Sequence, residues 1–492
     1  MKMNRIKNFF SGYKKLLALG AGLSVFLFFM LVNPFSLHIK ANLVLSIATL
    51  MISWWIFDAL PLAAVALLPI VLFPILNISS IKDVTKSYSD SIIFLFMGGF
   101  FIGIAVEKWN LHKRIALNII RVTGTNGNRI ILGFIIATGF LSMWLSNTAT
   151  TMMMFPIAAS VIHVISGHRN EDGNLNNFSL VLMLSIAYAS NFALGTIIGT
   201  PPNVAYVNYI AEEFNYTIGF TEWMIVFTPL TIVLLLALYF VTVKILYPNH
   251  IKHSEQGKKF IEDSLNEMGK LTTPEKRVLA VFFSVVLCWI LKDLINKWQS
   301  QLVLDDTIIA LAGAIVLFMI PSGRKNSINE ERLLEWDDTK KMAWGILILF
   351  GGGLALAKAL EEVKLMEQFG AFIASYSTNN VLLMMLIVTT ISVFLSEVMS
   401  NVAQVIVMAP VITSVATALH MDPLILGIPM TLGASCASML PMGTPPNAIV
   451  FSSGHIKMKD MVKTGFVLNL ISIVLISLFC YFLQPMFIQL IK

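Results

Sequence analysis

Two short polar motifs interrupt apolar stretches of this chain, and each occurs twice. Ser146-Asn147-Thr148 has a counterpart in Ser400-Asn401-Val402, and Gly199-Thr200-Pro201-Pro202-Asn203 has one in Gly443-Thr444-Pro445-Pro446-Asn447. A polar turn between two helices has defined chemistry. The helix that follows it presents unpaired N–H groups and the positive end of its dipole, which suit an anion. Asparagine carries donors and an acceptor and serine can act as either, so one turn can donate to a carboxylate and accept toward a cation. Ser142 and Ser396 lie four residues before Ser146 and Ser400, on the same helical face. In the second motif two adjacent prolines remove N–H donors and free upstream carbonyls. Carbonyls, hydroxyls and an amide oxygen together make a hard-cation site of the kind sodium uses in discontinuous helices. Taken singly, each motif is an ordinary capping turn or a proline kink. Four of them in symmetric order point to a site.

The elements that carry these motifs are duplicated. Phe140, Leu141, Ser142, Ser146, Asn147, Ala149, Met154 and Pro156 recur 254 positions later as Phe394, Leu395, Ser396, Ser400, Asn401, Ala403, Met408 and Pro410. Chance in an apolar-biased composition would give roughly two such identities over this stretch. The proline motifs recur at an offset of 244, because the polar loop between the motifs is longer in the first copy.

The 492 residues are 57% hydrophobic and only 13% charged, with mean hydropathy +0.78. Soluble globular proteins hold about 25% charged residues, so the chain reads as an all-α polytopic membrane protein. Its net charge of +6 sits in short loops between apolar runs, where it sets topology; nucleic acid is not an expected partner. Cys288, Cys436 and Cys480 lie in apolar segments without metal-ligand or disulfide spacing. The basic N-terminus precedes a long apolar run with no small-residue cleavage site, which predicts a first transmembrane helix.

The expected organisation is a cytoplasmic N-terminus with a first helix (1–40), a first repeat (41–250), a cytoplasmic linker (251–277) and a second repeat (278–492). Each repeat holds scaffold helices, a hairpin (129–166 and 381–420) and a broken helix (179–208 and 424–451). The hairpins, with the Ser-Asn motifs at their tips, are either re-entrant or two short spans each. Non-helical backbone at membrane depth must be buried in protein or line a wet cavity, so both readings put the motifs at a functional interior. A hairpin adds zero or two crossings, so a repeat of five spans plus a hairpin is odd and the second copy is inverted. The total is about 11 transmembrane helices plus two re-entrant hairpins. With a cytoplasmic N-terminus, the inner segments hold 25 of the 34 lysines and arginines, the positive-inside pattern. Two amphipathic stretches, Glu107–Arg121 and Glu361–Gln368, each follow a double-glycine helix (Gly98-Gly99, Gly352-Gly353) and suit interfacial helices.

On these motifs the chain resembles the divalent anion–sodium symporter family, from about residue 40 to the C-terminus. The resemblance implies a homodimeric elevator transporter in the cell membrane, with no cofactor and with sodium as the coupling ion. It implies substrates such as succinate, malate, fumarate or citrate, or in some members sulfate. Carried over by motif, one sodium would sit with Ser142, Ser146, Asn147 and the Gly199 carbonyl. A second would sit with Ser396, Ser400, Asn401 and the Gly443 carbonyl. Substrate carboxylates would meet Ser146, Asn147, Thr148, Thr200, Pro201, Ser400, Asn401, Val402, Thr444 and Pro445. No lysine or arginine lies within either motif, so bound cations and helix ends must neutralise a dianion, which couples the two.

The second copy departs from the first at Val402, opposite Thr148, and at Gln404, opposite Thr150, which predicts fewer hydroxyl donors there. Glu397 stands inside an apolar stretch and is either an orienting carboxylate or a hydrogen-bond partner at the hairpin base. Trp54, Trp55 and Trp109 read as interface anchors. A sodium-independent exchanger of the same fold is the alternative, and an anion channel is a weaker one. With neither H-E-x-x-H nor G-x-S-x-G present, an intramembrane enzyme has little to rest on.

Overall fold

The computed structural model describes residues 2–124, 126–166, 173–249, 251, 255–298, 303–323, 331–365, 370 and 380–491. Among the described residues the chain is helical, its β-structure confined to a single bridge between Pro321 and Arg332. Eight of the described helices are long and apolar enough to cross a membrane. Five shorter apolar segments accompany them, among them the first arms of both hairpins.

The duplication is reproduced at the helix bounds. The first hairpin comprises Gly127–Ser142 and Asn147–Ser166, and the second Val381–Ser396 and Asn401–Ala418. Both first arms and both tips keep the 254-residue offset. Asn126 and Asn380 cap the two hairpins in the same way, each side chain accepting from the N–H three residues on, a strong N-terminal signal. A first arm of 16 residues spans about 24 Å at 1.5 Å per residue, short of a bilayer core.

The chain divides into two compact units. One consists of residues 1–93, 205–217 and 343–434, the other of 94–204, 218–342 and 435–492. In the first unit the second hairpin packs on Pro423–Ala434, and helix Trp344–Glu362 packs on the hairpin's second arm. The double glycine explains that approach. A Cβ at Gly353 would stand 2.6 Å from Ile406, and one at Gly352 would stand 2.2 Å from the Ala66 carbonyl. In the second unit the first hairpin packs on Gly173–Asn191 and on Leu111–Thr123. Gly98 plays the equivalent part there, since a Cβ on it would meet Ala310 backbone at 2.7 Å.

Several expectations are adjusted. Helix Ser91–Lys108 includes Glu107, so the first amphipathic helix begins only at Leu111, after Asn110 turns the chain in a left-handed conformation. It buries Leu111, Ala116, Leu117 and Ile120 on one face. Of the second stretch, Glu361 and Glu362 end the preceding helix and the chain turns at Val363-Lys364; residues 366–368 lie outside the described residues. Trp109 is no interface anchor: it is buried, and its Nε1 donates to the Leu333 carbonyl at 2.7 Å. Trp54 and Trp55 are buried as well, donating to the carbonyls of Leu19 and Leu62. The linker is described at residue 251 and from 255 onward, and its helix Glu255–Met268 packs on the amphipathic helix and on the first hairpin.

Arg114 joins these pieces. Its Nε lies 2.8 Å from Glu275, whose side chain is 4% exposed, and its terminal nitrogens donate to the carbonyls of Met268 and Gly269. Arg114→Ala leaves a buried carboxylate unpaired, which costs about 3 kcal/mol. The expected result is a lower melting temperature in detergent, with Glu275→Gln milder because the Arg114 guanidinium still donates to the Met268 and Gly269 carbonyls. Equal melting of Arg114→Ala and the parent protein would refute this.

Candidate functional site

In the second unit the first hairpin tip meets the start of the loop that follows Gly173–Asn191. Helix Gly173–Asn191 ends, the chain passes through a loop with one 3-10 turn at Ile197–Gly199, and a new helix begins at Pro201 (Pro201–Phe214). The prolines therefore open a helix rather than kink one, using the positions where a missing N–H costs nothing. The break itself lies upstream and is held by side chains. Asn203 Nδ2 donates to the carbonyls of Leu194 and Thr196, and the Thr196 hydroxyl donates to the Met143 carbonyl at the hairpin tip. The second copy repeats the clamp: Asn447 Nδ2 donates to the carbonyls of Ala437 and Leu440.

That arrangement concentrates oxygens around Asn147. Its Oδ1 lies 2.8 Å from Ser142 Oγ, 3.1 Å from the Ser190 carbonyl and 2.9 Å from the Gly199 carbonyl. Two carbonyls and an amide oxygen at such separations repel one another unless something positive lies among them. Either the amide reverses and its nitrogen donates to all three neighbours, or a cation sits among the oxygens. A hard monovalent ion suits neutral oxygens at a helix break. Ser146 is drawn elsewhere: its Oγ accepts from the Ala149 N–H at 3.2 Å and caps the second arm.

Hydroxyl donors stand in the same unit. Thr444 Oγ1 accepts from Asn191 Nδ2 at 3.1 Å and from the Asn447 N–H at 3.3 Å, so its own hydrogen is left to donate. Thr200 Oγ1 accepts from Ser435 Oγ at 3.2 Å and keeps its hydrogen likewise. Thr148 is half-buried on the first turn of its helix, Pro201 is half-buried and Pro445 is exposed. No lysine or arginine occurs between residues 130 and 166, or anywhere from 173 to 214.

The first unit holds the other tip. Ser396 Oγ lies 2.7 Å from the Ala434 carbonyl and 2.5 Å from Gln404 Oε1. Asn401 Oδ1 is buried and has no hydrogen-bond partner among the described residues. Ala434 is the counterpart of Ser190 at the 244-residue offset; its carbonyl faces Ser396 in the second copy, whereas the Ser190 carbonyl faces the Asn147 amide in the first. Ser400 is half-buried, Val402 is 8% exposed and Glu397 is 3% exposed at the end of the first arm. Gly443, expected beside these residues, belongs to the second unit.

Residues 13–489 match the family described as the sodium:sulfate symporter transmembrane region. The chain belongs to this family. Among its relatives, the sodium-dependent dicarboxylate transporter SdcS of Staphylococcus saprophyticus is 40% identical over 461 residues, covering 93% of this chain and 88% of the relative. SdcS of Staphylococcus aureus strain USA300 is 39% identical over 499 residues, covering 99% and 96%. A solved structure, the YdaH transporter of Alcanivorax borkumensis, aligns with a TM-score of 0.58 at 12% identity, covering 89% of this chain and 98% of that one. That likeness concerns the fold alone.

Within this symporter-family chain the expected first cation set is gathered except for the Ser146 hydroxyl. Sequence reasoning missed the carbonyls of Ser190 and Ala434, because a backbone oxygen has no residue signature. The 244-residue offset could have paired them. It also missed Asn191 and Thr196, which hold the break segments in shape. Gln404, expected to thin the hydroxyl donors near a substrate, is fully buried and turned into its own hairpin.

Proposed function

We propose that the protein is a secondary active transporter that carries C4-type dicarboxylates, such as succinate, malate or fumarate, by symport with sodium across the cytoplasmic membrane. The observation that supports this reading is the gathering of the Ser142 hydroxyl and the Ser190 and Gly199 carbonyls around the Asn147 side-chain amide at a helix break, a set of neutral groups from which a hard cation can draw its ligands. The names of both staphylococcal relatives agree with it. Sodium sits with Ser142, Asn147 and the carbonyls of Ser190 and Gly199, with Ser146 beside it. A second sodium is held by Ser396, Ser400, Asn401 and the Ala434 carbonyl, with the Gly443 carbonyl as a further ligand inferred by motif. The carboxylates of the substrate draw on Asn147, Thr148, Thr200, Pro201, Thr444 and Pro445, and on Ser400, Asn401 and Val402. With no lysine or arginine in these segments, the anion binds only after the cations have been loaded, which is the physical basis of coupling.

Inverted repeats, a cytoplasmic N-terminus, re-entrant hairpins, a homodimer and an elevator movement complete the proposal. The parity of the repeat and the lysine and arginine distribution support the first two. The 16-residue first arms support the third. The protein is not an enzyme on this reading.

Uptake of labelled succinate into proteoliposomes tests the proposal. Replacing external sodium by potassium is expected to lower the initial rate at least about tenfold, within the usual range of a coupling free energy. Undiminished uptake in potassium, with a requirement for internal dicarboxylate, would establish an exchanger instead. Currents that scale with driving force without saturation would establish a channel.

A further inference from the structure

Hydrogen accounting at the second hairpin tip assigns a role to Gln404. Its Nε2 lies 2.9 Å from the Ser392 carbonyl and 2.6 Å from Ser392 Oγ. The Ser392 hydroxyl gives its single hydrogen to the Met430 carbonyl at 2.5 Å. Ser392 thus presents only acceptors, and the Gln404 amide must face it with nitrogen. Its Oε1 is then fixed toward Ser396 Oγ at 2.5 Å. Ser396 also has one hydrogen, and the shorter contact takes it. Ser396 Oγ is also within donating distance of the Ala434 carbonyl at 2.7 Å; once its hydrogen is given to Gln404, that carbonyl faces only the hydroxyl's lone pairs. Asn401 Oδ1 is buried and unpartnered next to this turn in sequence. The arrangement parallels the cluster around Asn147, where a serine hydroxyl, an asparagine amide and loop carbonyls also gather.

The first hairpin lacks this device. Thr138 and Thr150 occupy the positions of Ser392 and Gln404, and both hydroxyls are buried without a hydrogen-bond partner among the described residues. Ser142 turns to Asn147 Oδ1 instead. The two halves therefore differ in what sets the serine: the tip asparagine in the first, a glutamine from the facing arm in the second.

We propose that Gln404 is a positioning residue for the second cation: it takes the Ser396 hydrogen and so turns the hydroxyl's lone pairs toward a sodium ion shared with the Ala434 carbonyl and Asn401. This rests on the sodium-symport reading above. It makes affinity at the second site depend on a side chain that touches neither ion nor substrate.

The test compares Gln404→Met, Gln404→Glu and Ser396→Ala in proteoliposomes, measuring half-saturation for sodium and, at saturating sodium, KM for succinate. Methionine fills the space but cannot accept the hydrogen. Its sodium half-saturation is expected to rise roughly tenfold, the effect of one well-formed hydrogen bond, while the succinate KM stays within about threefold. A protonated glutamate presents a hydroxyl where Nε2 stood and a carbonyl where Oε1 stood, so it is expected to hold the sodium half-saturation within about threefold of the parent. The split between the two variants supports positioning. A parent-like value in Gln404→Met, or an equal rise in both, overturns it. If Ser396→Ala is raised and Gln404→Met is not, the second cation site stands and the glutamine's role falls. If Ser396→Ala itself binds sodium normally, the second-site assignment falls and takes this proposal with it. Should Gln404→Met not reach the membrane, sodium protection of the Gln404→Glu variant against thermal unfolding decides: retained protection supports the proposal and lost protection overturns it.

Discussion

Asn147→Ala is expected to reduce sodium-driven succinate uptake at least about a hundredfold while the protein still reaches the membrane. The side chain is half-buried at the tip of the first hairpin, with Ser142 Oγ and the carbonyls of Ser190 and Gly199 within 3.1 Å of its Oδ1. On the proposed reading, truncation removes an oxygen of the cation cage, and it leaves Ser142 without its partner. Two such losses, each worth about 1.5 kcal/mol, come to roughly two powers of ten. Little stability should be lost, because the turn is capped separately by the Ser146 contact to Ala149. Size-exclusion behaviour in detergent should be that of the parent, whereas stabilisation by sodium should weaken to what the second site alone supplies. Near-normal uptake by this variant would mean that the cluster is not a transport site.

The second large effect is expected from Gly199→Ala. A Cβ at Gly199 would stand 2.4 Å from the Ala193 carbonyl, 3.0 Å from Thr196 Oγ1 and 3.3 Å from Met143 Cα. Two of these neighbours are backbone, and the third is tied to the Met143 carbonyl by its own hydrogen bond. Nothing nearby is a flexible side-chain end that can yield, so the segment must shift and carry the Gly199 carbonyl away from Asn147. Overpacking of this kind costs about 1–3 kcal/mol, and much of it should fall on the cation-bound state. Sodium half-saturation is expected to rise at least about tenfold, read from the sodium dependence of succinate uptake. A variant with parent-like sodium affinity would show that the Gly199 carbonyl is not a ligand.

Both effects concern neutral groups, which sets this site apart from one built on charged side chains. A cage of hydroxyls, amides and carbonyls binds an ion only while its geometry holds, since no net charge compensates for a displaced ligand. The holding contacts are therefore as informative as the ligands. Thr196 on Met143, Asn203 on Leu194 and Thr196, and Asn447 on Ala437 and Leu440 all spend side-chain donors on loop carbonyls. Buried carbonyls outside a helix need such partners. Those left without one become candidates for an ion.

The amino-acid sequence by itself determined the helical membrane class, the duplication, the hairpin tips and the break segments. These are properties of composition, periodicity and spacing, and Ser142, Asn147, Ser396, Asn401 and the Gly-Thr-Pro-Pro-Asn motifs declare themselves by type at fixed offsets. Only the tertiary structure decided which oxygens face each other. The Ser190 and Ala434 carbonyls belong to backbone that any residue would supply, so no letter in the sequence marks them. Gln404 and Thr150 looked like a change in substrate donors, and burial turned the pair into a difference inside the hairpins. Trp109 changed from membrane anchor to buried donor for the same reason. Local pattern fixes which groups are available, but the hydrogens and lone pairs of a buried site are shared out among segments distant in the chain, and that distribution exists only once the segments are packed.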